Sequence, residues 1–165
     1  MADRALTDPR PEWFKTLDKK ASNRRKPMIQ PNDEFLTAQI KQHEGFSRYV
    51  YEDSEGIPTI GYGRNLESVG VSDAEAEFML DNDIRSALAE AGRFYWFAGL
   101  SETRQRVITE MVYNLGRTRF CTFVNMAIAI ADGDYDSAAV EMLDSTWAGQ
   151  VKGRAILLAE QMRAG

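Results

Sequence analysis

The chain has 165 residues, 44% of them hydrophobic and 27% charged, with a formal net charge of −5. That composition suits one soluble domain with an appendage, able to bury roughly 70% of the surface its unfolded chain exposes without a disulfide or metal staple. A lone cysteine excludes an internal disulfide framework or a zinc cluster, and the longest uncharged run, Phe120 to Ala131, is too short to cross a bilayer.

Residues 1–32 read as a basic, proline-containing arm ahead of a domain at 33–165. The start, MADRALTDPRPEW, has no apolar h-region and so does not read as a secretory signal. Residues 1–34 are net +2 and the remainder −7. The run KKASNRRK, Lys19 to Lys26, lies between Pro11 and Pro27 and is expected to stay solvated. Trp13, Phe14 and Leu17 are spaced for one short amphipathic turn. The acidic body argues against a nucleic-acid partner, since a domain that contacts phosphates presents a basic face.

In NDEFLTAQIKQHEG, Asn32 or Asp33 can cap a helix whose Phe35, Leu36 and Ile40 share a face, and Gly45 stops it just after Glu44. In RYVYEDSEGIPTIGYG, Tyr49 to Tyr51 predict a strand, Asp53 to Gly56 a turn, and Thr59, Ile60 and Tyr62 the return strand of a hairpin. Ser72 and Glu75 form a capping box for the helix DAEAEFMLDNDIRSALAEA, with Phe78, Ile84 and Leu88 inward. Further helices are expected at about 101–115, 123–131, 135–143 and 152–162, broken by Gly116, Gly133 and a loop at Trp147 to Gly149. The fold class is α+β, mostly α: a small lobe with a short β-hairpin, a long connecting helix and a larger helical lobe.

A helix ending at Glu44 and a turn starting at Asp53 can set two carboxylates on the edge of a groove between the lobes. Such a pair suits glycosidic cleavage, in which one carboxylic acid protonates the leaving oxygen and a second carboxylate activates water. The acid needs a drier setting than its partner, a role that Glu44 beside Phe46 fits, while Asp53 in a turn fits the wet one. His43, the only histidine, is expected on the helix surface, because adjacent helical side chains point about 100° apart. Cys121 reads as a small buried hydrophobe, and Phe94, Tyr95, Trp96 and Phe97 as core aromatics.

Glu44, eight residues, Asp53, five residues, Thr59, then Ile60-Gly61-Tyr62-Gly63 resembles the catalytic signature of the phage-type (T-even-like) lysozymes and endolysins, glycoside hydrolase family 24. VSDAEAEFMLDNDI, RVITEMVYNLGRTRFCTF and STWAGQVKGRAILLAEQMRAG extend the likeness, from about Asp33 to Gly165. The resemblance implies a lysozyme-like fold and a muramidase that cuts the β-1,4 bond between N-acetylmuramic acid and N-acetylglucosamine. It implies Glu44 as general acid, Asp53 facing the attacking water, and Thr59 holding that water, with inversion at the sugar. Tyr51, Gly61, Gly63, Asn114 and Gln150 take supporting or sugar-binding positions, and Arg154 pairs with Glu44. No metal or cofactor is implied.

The sequence departs from the family pattern in two places. The stretch from Thr59 to the Ser72 cap is short for a T-even-type member, so the sugar contacts on that wall are unassigned, and Arg64 stands where a histidine is common. For the biological role, the resemblance implies a monomeric lysis enzyme acting on peptidoglycan, held in host cytoplasm and released through a holin. The alternatives are a virion-borne lysozyme for entry, whose arm contacts a virion protein or an anionic envelope, and an inactive peptidoglycan-binding module.

Overall fold

A computed structural model describes Pro11 and residues 29–165; the expectations for Trp13, Phe14, Leu17 and the KKASNRRK run lie outside the described residues. The chain divides into two compact units, Met1–Gly70 and Val71–Gly165.

In the first unit, α1 runs from Glu34 to Glu44. Asp33 is its cap, with Oδ1 accepting from the Leu36 N–H at 2.7 Å, and Gly45 ends it at φ 69°. None of its residues is buried, so the apolar face of Phe35, Leu36 and Ile40 is open. β1 (Ser47–Glu52) and β2 (Pro58–Gly61) pair antiparallel, with Tyr51 opposite Thr59. A register shift between Ser47 and Tyr51 marks a bulge on β1. The expected hairpin gains a third strand, β3 (Arg64–Asn65), paired antiparallel to β2. Tyr62 falls in the turn between β2 and β3 rather than in the return strand.

The second unit is helical. α2 (Asp73–Ala91) carries the full capping box, with Ser72 accepting from the Glu75 N–H and Glu75 accepting from the Ser72 N–H. Its buried residues are Ala87 and Ala91. Phe78, Ile84 and Leu88, expected to point inward, are exposed, because the helix approaches α3 through small residues rather than through its large apolar ones. A short 3-10 turn, η1 (Phe97–Gly99), leads into α3 (Glu102–Phe120). The helix expected to stop at Gly116 resumes beyond it: Gly116 sits at φ 71°, ψ 154°, a kink joining two helical stretches. α4 (Val124–Ala131) and α5 (Tyr135–Leu143) follow. The loop expected at Trp147 to Gly149 is instead helix α6 (Thr146–Val151), capped by the Ser145 hydroxyl, and α7 (Gly153–Ala164) closes the chain.

The core draws on α2, η1 and α3 to α7: Ala87, Ala91, Phe97, Val107, Ile108, Met111, Phe120, Met126, Met142, Trp147, Leu158 and Met162 are all buried. Arg104 ties the last helix to α3, donating from Nε to the Met162 carbonyl at 2.8 Å and from Nη2 to the Arg163 carbonyl at 3.0 Å. Two further expectations fail on burial. Cys121 is exposed, since it stands at the C-cap of α3 rather than inside a helix face. Of the aromatic group, Phe97 is buried and Phe94 stacks on Trp96 at 5.1 Å, but Tyr95 points outward and is 86% exposed. No helix among the described residues is long and apolar enough to cross a membrane.

Candidate functional site

Glu44 is the last residue of α1, and its carboxylate lies over the turn between β2 and β3. A Cβ added at Gly63 would stand 3.0 Å from Glu44 Oε2. Gly63 is also at φ 76°, so two separate reasons, space and backbone, select glycine there. Gly61, at φ 70° with open space around it, answers only to the backbone. Glu44 and Phe46 are exposed, so the dry setting expected for the acid is not found within this unit: Phe46 turns toward the Tyr62 ring, 5.2 Å away, instead of covering the carboxylate. His43 is on the exposed helix surface as expected.

Asp53 and Thr59 are organised by the backbone of a single residue, Ile57. Asp53 Oδ1 accepts from the N–H groups of Glu55 at 2.8 Å and Ile57 at 3.0 Å, and the Asp53 N–H donates to the Ile57 carbonyl at 3.1 Å. The same carbonyl accepts from the Thr59 hydroxyl at 3.0 Å. The turn is thus an aspartate-held loop in which the side chain supplies bonds the backbone would otherwise lack. Thr59 is the one buried polar residue among those described, 3% exposed. Its proton is given to Ile57, so its remaining capacity toward any water is that of an acceptor.

Tyr51 connects these two groups. It pairs with Thr59 across the strands and, together with Glu44, Phe46 and Ser47, lines an open concavity of about 310 Å³. Glu44, Tyr51, Asp53, Thr59, Gly61 and Gly63 therefore all belong to the first unit, on α1, strands β1 and β2, and the β1–β2 and β2–β3 turns. Lys41 lies beside them, its Nζ 5.4 Å from the centre of the Tyr62 ring.

The other three expected residues belong to the second unit. Asn114, on α3, accepts from the indole Nε1–H of Trp147 at 2.8 Å and lines a groove between α2 and α3 with Asp83, Ser86, Glu90 and Arg117. Gln150 is exposed on α6. Arg154, on α7, is exposed and borders an apolar groove with Leu80, Ile84, Leu88 and Tyr113. Among the described residues no group of three or more His, Cys, Asp or Glu is placed to hold a metal ion.

Two contributors escaped the sequence reading. The N–H and carbonyl of Ile57 join Asp53 to Thr59 through backbone atoms, which residue identity does not disclose. The Trp147–Asn114 bond spans 33 residues, and the only hint of it was a tryptophan, which seeks a partner for its N–H when buried.

The family model described as phage lysozyme matches residues 41–159, a stretch that holds Glu44, Asp53, Thr59 and every other candidate named above. The chain is also 27% identical over 152 residues to the pre-baseplate central spike protein Gp5 of Enterobacteria phage T4. That alignment takes in 73% of this chain and 26% of the relative, so the chain spans about a quarter of that protein's length. With most of its length matched, the chain belongs to the phage lysozyme family.

Proposed function

We propose that the chain is a lysozyme, a peptidoglycan hydrolase that cuts the β-1,4 bond between N-acetylmuramic acid and N-acetylglucosamine by acid/base catalysis with inversion. The observation that carries this reading is the lock through Ile57, which fixes a carboxylate and a hydroxyl oxygen at the two ends of one turn, next to a helix that ends in a glutamic acid. Glu44, protonated, gives its proton to the glycosidic oxygen as the C1–O bond breaks. A water held by Asp53 and by the acceptor lone pair of Thr59 adds to C1 from the opposite face and passes its proton to Asp53. Asn114, Gln150 and Arg154 supply an amide carbonyl, an amide and a guanidinium for saccharide binding.

The test is turbidity loss on purified peptidoglycan. Glu44→Gln cannot donate the proton, and the loss of activity should be about 10²-fold or more, with an unchanged circular dichroism spectrum. Near-normal turnover by that variant sinks the assignment.

Two settings for this activity remain in view. In the first, the enzyme accumulates in host cytoplasm and reaches peptidoglycan through a holin at lysis. The second, a virion-borne lysozyme used during entry, is favoured by the similarity to a protein named as a central spike component. In that setting the basic arm at 1–32 attaches the domain at 33–165 to a neighbouring virion protein. Mass spectrometry of purified particles separates the two: peptides of this chain at stoichiometric level place it in the virion, and their absence places it in lysis.

A further inference from the structure

Lys152 is the one non-glycine residue with a positive φ among those described, at φ 52° and ψ −116°. A side chain crowds the backbone in that conformation, and it persists only where the surroundings hold it. Here they hold it from both sides. Lys152 closes α6, its N–H donating to the Ala148 carbonyl at 2.8 Å, and it opens α7, its carbonyl accepting from the Ala155 N–H at 3.0 Å. α6 is anchored by Trp147, buried and bonded to Asn114. α7 is anchored by Ala155, Leu158, Ala159 and Met162, all buried. Two anchored helices meet with Lys152 alone between them, so one position takes the whole change of direction.

That position stands midway between Gln150 and Arg154, each two residues away and each exposed. An amide and a guanidinium are suited to the hydroxyl, acetamido and carboxylate oxygens of an anionic amino-sugar polymer. We propose that Lys152 is a positioning residue: its strained backbone sets the angle between α6 and α7, and through it the placement of Gln150 relative to Arg154 for binding the glycan. The inference rests on the hydrolase reading for its ligand, but the strain itself does not.

The experiment compares wild type, Lys152→Gly and Lys152→Ala in the full chain. Melting temperature is read beside KM and kcat on solubilised peptidoglycan, and beside Kd from co-sedimentation with insoluble peptidoglycan. Lys152→Gly relieves the strain, so Tm should rise by about 2–6 °C, while the freed corner loosens binding and KM and Kd increase by roughly 3- to 10-fold with kcat within about twofold. Lys152→Ala keeps the Cβ and loses only the ammonium, and it should shift both constants less than Lys152→Gly does. An unchanged or lower Tm in Lys152→Gly overturns the strain. A higher Tm with unchanged KM and Kd overturns the positioning role, and equal losses in the two variants assign the effect to the ammonium instead. A wild type that binds peptidoglycan without cleaving it defeats the hydrolase reading while leaving Kd to decide this one; a wild type that neither binds nor cleaves defeats both.

Discussion

Asp53 and Thr59 are joined through the backbone of one residue, Ile57, whose N–H donates to the aspartate and whose carbonyl accepts from the threonine hydroxyl. One side chain thus both shapes the turn and carries the charge, and substitutions can separate these duties. Asp53→Asn keeps an oxygen that accepts from Glu55 and Ile57 but cannot take a proton from water. It should lose about 10²-fold or more in turnover at nearly unchanged urea midpoint. Asp53→Ala should lose the same activity and also about 1–3 kcal/mol of stability, since two turn N–H groups lose their acceptor. Equal stability for the two variants would show that the bonds at Oδ1 do not hold the turn.

Gly63 and Gly61 form an internal control for the approach to Glu44. Both have positive φ, so alanine at either costs about 1 kcal/mol of backbone strain. Only at Gly63 does the new methyl meet a carboxylate oxygen, 3.0 Å away. Gly63→Ala should therefore reduce activity well beyond Gly61→Ala at similar melting temperature. Equal activities would separate Gly63 from the acid.

If Asp53 and Thr59 hold a water on the face opposite the leaving group, freshly released reducing ends should begin as the α-anomer. Proton NMR within the first minutes of digestion reads this directly, before mutarotation. An initial excess of β-anomer would establish retention and assign Asp53 a nucleophilic role.

The Trp147–Asn114 bond predicts coupling between α6 and the middle of α3. Asn114→Ala leaves an indole N–H without its acceptor in a buried residue, at a cost of about 1–3 kcal/mol in chemical denaturation. In the background of Trp147→Phe the same change should cost clearly less, because the donor is already gone. A fully additive double mutant would mean the bond contributes nothing.

The cap of α5 predicts a specific acid sensitivity. Hydrogen bonds from the Ser137 hydroxyl and backbone N–H hold the Asp134 carboxyl below its ordinary pKa. A depressed folded-state pKa contributes stability at pH values above the ordinary aspartate range, and that contribution fades as pH falls through the folded value. Asp134→Ala should therefore be less stable than wild type at pH 7, with the gap narrowing toward pH 2. A gap that stays constant across that range would remove the carboxylate from the explanation.

The elements legible in the sequence are those set by neighbours along the chain. The Ser72–Glu75 box, the Asp33 cap, the glycine stop after Glu44 and the ends of α5 all depend on groups within about four residues, where spacing decides geometry. The signature from Glu44 to Gly63 is equally compact, and six of the nine site candidates fall in it. Periodicity located α2 but misjudged which residues it buries: Ala87 and Ala91 are covered, while Ile84 and Leu88 border an open groove. Burial belongs to whatever lies across the contact, and a single helix does not encode that. The same reason explains Cys121 and Tyr95, apolar enough for a core yet placed where no helix covers them. Only the tertiary structure brought Trp147 to Asn114, Arg104 to the carbonyls of Met162 and Arg163, and Glu44 onto Gly63. It alone put the turn between Gln150 and Arg154 on a lysine at φ 52°, between two helices each held by buried residues of their own.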